Sequence, residues 1–269
     1  MPERVAVEAT ARGGLAAVRA AALRGFGNLY AKESRAWTRT RSWWLQPVVW
    51  TVVLVGPLLL PLRLMRDAFA AEGSSVLAVA LEMFFTLAAL APAVGAVLLM
   101  QGSVVAERQL GTAAWVLSKP VGRTAFLLAS HPAIALALLF AGPLLPGLPA
   151  YALLSVENGA PLPAGPFLGA LALDAVAVLF YLTLTLSLGA LVDQRGVVLA
   201  VPLAILLGGD LVLGFLPGLS TVTPWVLGRY AAAVAAGAPL PSALPVVATL
   251  GWCALLLVAA TWRFGREDL

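Results

Sequence analysis

The chain has 269 residues, 61% of them hydrophobic and only 11% charged, with a net charge of +4. A soluble domain is about 45–50% apolar and about 25% charged. The composition therefore excludes a soluble enzyme or a nucleic-acid-binding domain and reads as an integral membrane protein. One cysteine, Cys253, and one histidine, His131, exclude a disulfide framework and a Cys/His metal cluster.

Residues 1–42 have no apolar core region and do not read as a cleavable signal peptide. They read as a cytoplasmic arm ending in an amphipathic helix. Phe26, Tyr30, Trp37 and Trp44 recur at helical spacing on one face, with Lys32, Arg35 and Arg39 off it. Such a helix is expected to lie at the interface, its basic side toward anionic headgroups.

Six apolar stretches follow, each near the roughly 20 residues needed to cross a bilayer. They are 43–62, 76–100, 125–148, 166–192, 197–216 and 242–262. The transmembrane domain thus runs from 43 to 263, and 264–269 is a short tail. The third span is expected to end in the proline-rich run around Pro143, Pro146 and Pro149. Residues 217–241 are apolar but broken by Gly237 and Pro239. They predict an outer re-entrant segment anchored by Trp225 and Tyr230. The fold class is all-α.

Charge placement gives an orientation. With the N-terminus inside, fourteen Lys and Arg residues fall on the inner side. Only Arg63, Arg66 and Arg229 fall on the outer. The positive-inside rule then puts both termini in the cytoplasm of a multi-pass cell-membrane protein.

There is no P-loop, no H-E-x-x-H and no nucleophile motif, so no catalytic or cofactor-binding residue is expected in this chain. His131 reads as a helix-packing histidine. Three carboxylates lie inside apolar runs: Glu82, Asp174 and Asp210. Each costs about 2.5–3.5 kcal/mol at the bilayer centre. All three fall in the outer half of their spans, with no basic residue in the spans to pair with them. They are candidates for lining a substrate pathway, or for a proton or cation relay in a secondary transporter. The alternative is that each is a packing acid satisfied by neighbouring helices.

The loop 101–124 holds most of the remaining polarity. Its first half can form a short amphipathic helix, stopped at Lys119-Pro120 because the residue before proline avoids the α region. The sequence Glu107-Arg108, Gly111-Thr112, then Leu117-Ser118-Lys119-Pro120-Val121-x-Arg123 resembles the cytoplasmic loop of ABC-2-type exporter permeases. The elbow helix and the basic-then-acidic tail are similar to that family more weakly. The resemblance implies that Glu107, Arg108, Gly111, Thr112, Trp115, Lys119, Pro120 and Arg123 couple to a cytosolic ABC ATPase subunit. It implies two ATPase copies, which would hold the ATP and Mg, and a second permease, identical or related. A membrane anchor that recruits a cytosolic protein without transporting anything would need the same loop but not the buried acids.

Overall fold

The computed structural model describes residues 23–109 and 121–266. Among them, six helices are long and apolar enough to cross a membrane. They are Trp43–Leu64, Val76–Gly102, Arg123–Asn158, Ala164–Leu191, Arg195–Phe215 and Leu244–Phe264, hereafter spans one to six. No strand occurs among the described residues. The chain is an all-α membrane protein with six candidate spans among the described residues.

The prolines end fewer helices than their number predicts. Span three does not stop at Leu148. Helix Arg123–Leu139 passes through a π turn, Phe140–Leu144, into helix Leu145–Asn158. Proline lacks an N–H and crowds the carbonyl four residues back. A wider π turn around Pro143 absorbs both effects without a break. The expected loop 150–163 shrinks to the residues after Asn158, where Gly159 closes the helix at φ 72°. Span one absorbs Pro57 and Pro61 similarly, through a 3-10 turn, Gly56–Leu58, and a π turn, Leu60–Leu64. The expected loop 63–75 contains a further short helix, Arg66–Ala71.

Span two overshoots the membrane. Its helix runs from Val76 to Gln109, 34 residues, or about 51 Å at 1.5 Å per residue. The first part of the 101–124 loop is therefore a continuation of span two, not a separate helix.

Before span one, helix Phe26–Thr38 lies alongside span three. The Gly122 amide donates to the Arg24 carbonyl at 2.9 Å. Further along, Tyr30, Ser34 and Trp37 face Ala133, Leu136 and Phe140 across a groove. The aromatic stripe read in the sequence thus has a protein partner, and Lys32, Arg35 and Arg39 remain exposed.

Span four is the central post. It packs against spans two and six and against the short helix Leu227–Ala235. Leu182, Thr183, Thr185, Leu186 and Ser187 are all fully buried. One core cluster gathers Phe84, Phe85 and Phe167 at edge-to-face and stacked geometry. The other, toward the 101–124 loop, stacks Phe126 on Phe264 at 5.9 Å. Short helix Leu227–Ala235 turns Leu227, Gly228, Ala231 and Ala235 inward, against spans two and four.

Candidate functional site

Two regions carry the candidate residues, one at the Gln109 end of the long helix of span two and one near its middle. At the loop end, Glu107 and Arg108 lie in the last turn of that long helix. Gly111, Thr112, Trp115, Lys119 and Pro120 lie outside the described residues. Arg123 opens span three, and its Nη1 donates to the Gly265 carbonyl at 3.3 Å. The descending limb of the loop is thus tied to the foot of span six through Arg123 and to the elbow segment through Gly122. Nearby, Arg195 Nε donates to Gln101 Oε1 at 2.7 Å, linking spans five and two at the same end.

About halfway along the bundle, spans two, four and five and the segment 224–229 line a cavity of about 120 Å³. Thr86, Ala89 and Leu90 come from span two, Ala177 and Tyr181 from span four, and Leu206 and Asp210 from span five. Trp225 and Arg229 close it. Trp225 is seated by Gly209: a Cβ there would lie 2.3 Å from the indole Cδ1. Its Nε1 donates to the Ile205 carbonyl at 2.9 Å. The Tyr181 hydroxyl lies beside this indole N–H, which is already committed, and makes no hydrogen bond among the described residues. A buried hydroxyl lining a cavity is satisfied by whatever occupies that cavity.

The three candidate acids are not gathered together. Asp210 lines the cavity and also a second pocket of about 310 Å³ with Ser220 and Pro217. Arg229 Nη2 is 3.6 Å from Asp210 Oδ1. The sequence offered no cation for this acid within the spans, because Arg229 falls in the segment 217–241. The short helix that carries it folds back onto the bundle. Both side chains are largely exposed, 53% and 83%, so the pair is a weak surface contact that a ligand can open. Asp174 is fully buried, and neither carboxylate oxygen has a partner among the described residues. Glu82 is exposed on span two, outside the cavity.

His131 is half-buried between spans three and four. Its Nε2 lies 2.9 Å from Thr183 Oγ1. The Thr183 hydroxyl donates to the Leu179 carbonyl at 2.7 Å. Its single proton is used there, so Nε2–H is the donor to Thr183. Ser187 Oγ reaches the Leu256 carbonyl on span six at 3.0 Å. Sequence reasoning placed His131 in helix packing but missed this polar seam. Its one visible signal was the alternation Tyr181, Thr183, Thr185, Ser187 inside an apolar run.

No protein-family model and no curated protein sequence matches the chain.

Proposed function

We propose that the chain is the permease subunit of an ABC-2-type exporter. It forms the substrate pathway and couples to a separate ATPase through residues 101–124. The observation that carries this reading is the reach of span two. One continuous helix holds Glu107 and Arg108 at one end and, near its middle, Thr86, Ala89 and Leu90 of the cavity wall. The separation is about 30 Å along the axis. A push on the loop end is transmitted by the helix to the cavity. Pro92 lies between the cavity residues and the loop end and supplies a place to bend. Energy transfer of this kind is mechanical and needs no catalytic group in the permease.

The motif resemblance, the six spans and the helix preceding them support the same reading. A proton- or cation-coupled transporter needs its acids connected. Here Glu82 is exposed, Asp174 is sealed and Asp210 faces Arg229.

The test is co-purification. The full chain, expressed with its genomic neighbours and extracted in mild detergent, is expected to elute with a P-loop ATPase in equal amount. Changing Glu107, Arg108 and Trp115 together to alanine should weaken that association at least about tenfold, the loss expected for removing docking anchors. A wild-type chain that elutes alone, with no ATPase activity, would remove the basis of this reading. An ATPase that binds with no accompanying transport would favour the anchor reading.

A further inference from the structure

The wall between spans one, two and five carries a groove that shares only Leu90 with the cavity described above. Its volume is about 570 Å³, and apart from Gln46 its lining is apolar. Trp50 forms the floor. Its ring lies on Gly95, where a Cβ would come within 2.8 Å of Cζ2. Leu45 and Val49 of span one form one side, and Leu98 and Leu99 of span two the other. Along span two the groove extends from Leu90 to Leu99, about 14 Å. That is half of a hydrocarbon layer about 30 Å thick, the depth of one leaflet.

One end of the groove is marked as the membrane surface. Gln46 is held there by Trp37, whose Nε1 donates to Gln46 Oε1 at 3.1 Å. Exposed Arg41 precedes Leu45 by four residues and Val49 by eight, so the three share one helical face. Trp43 and Trp44 are exposed at the same level, where aromatic side chains favour the interface. On the neighbouring helices, Gln101 and Arg195 mark that level too. An aliphatic slot one leaflet deep, headed by a guanidinium, is complementary to an anionic phospholipid.

We infer that this groove is a binding site for one anionic phospholipid, with an acyl chain along Leu45, Val49 and Leu98 and the phosphate at Arg41. The inference rests on the six-span fold and is independent of the export reading. It is tested by native mass spectrometry of the full chain in mild detergent, titrated with phosphatidylglycerol or phosphatidylcholine of equal chain length. One phosphatidylglycerol should be retained about fivefold more tightly than phosphatidylcholine, the preference expected from one surface cation. Arg41→Gln should abolish the preference while leaving the helical circular dichroism unchanged. Leu98→Trp, on a half-exposed wall position, should reduce retention of both lipids. Equal retention of the two lipids, unaffected by Arg41→Gln, would overturn the proposal. A dimer that Leu98→Trp dissolves would overturn it as well, by giving the groove to a second copy.

Discussion

At the scale of single residues, the unusual group is Asp174. Its neighbours in span four, Leu173 and Ala177, belong to the apolar core cluster, and its carboxylate oxygens have no partner among the described residues. Burying a polar group without a hydrogen bond costs about 1–3 kcal/mol on mutational scales. Replacing it with an apolar residue of similar size removes that cost. Asp174→Leu is therefore expected to raise stability by about 1–3 kcal/mol, read as a higher midpoint in thermal unfolding in detergent. A fall in the midpoint would mean that the carboxyl is satisfied in the membrane. Sequence alone identified Asp174 as costly, since any acid in an apolar run is. It did not separate Asp174 from Glu82 and Asp210, because depth along a helix is legible in sequence and the direction of a side chain is not. Only packing shows that one acid is sealed, one exposed and one opposite an arginine.

At the scale of elements, the contact that builds the cavity is the Trp225 indole on span five. Gly209 leaves room for the ring, and the ring's N–H reaches Ile205 one turn earlier. Gly209→Ala would place a methyl group inside the indole. Forced repacking of this kind costs about 1–3 kcal/mol, and it should release Trp225 from Ile205. The expected result is a lower unfolding midpoint with increased quenching of tryptophan fluorescence by acrylamide. Restoring space with Trp225→Ala in the Gly209→Ala background should recover part of the midpoint. The positions of all six spans were legible, because runs of about 20 apolar residues leave few alternatives. Their ends were less so. Pro143 and Pro146 read as helix stops, yet the chain passes through them in a π turn. The helical continuation of span two to Gln109 was hidden because Glu107 and Arg108 interrupt the apolar run, and charged residues are good helix formers once outside the membrane. The fold of residues 217–241 was legible only as a short apolar segment. That its helix returns to spans two and four, and carries Arg229 to Asp210, is a tertiary fact without local sequence signal.

At the scale of the whole molecule, the open question is which end faces the cytoplasm. The six spans alternate in direction, so Gln109, Gly122, the turn at 192–194, the start of span one and the end of span six share one side. Residues 159–163 and the short helix Leu227–Ala235 lie on the other. By chain position, fourteen Lys and Arg residues go with the first side and three with the second. Two of those three have structural reasons for their position: Arg66 is paired with Glu157 and Arg229 with Asp210. The positive-inside rule counts cations in short loops, so the loop end is expected to be cytoplasmic. The chain's one native thiol makes this measurable. Cys253 is buried, and Cys253→Ala provides a background without cysteine. On that background, Ala160→Cys and Gln194→Cys place single thiols at exposed positions on opposite ends. In intact cells a membrane-impermeant maleimide should label position 160 and spare 194. After permeabilisation both should react. Labelling of 194 alone in intact cells would invert the molecule. It would put residues 101–124 outside, where no cytosolic ATPase could reach them, and the export reading would fail with the orientation.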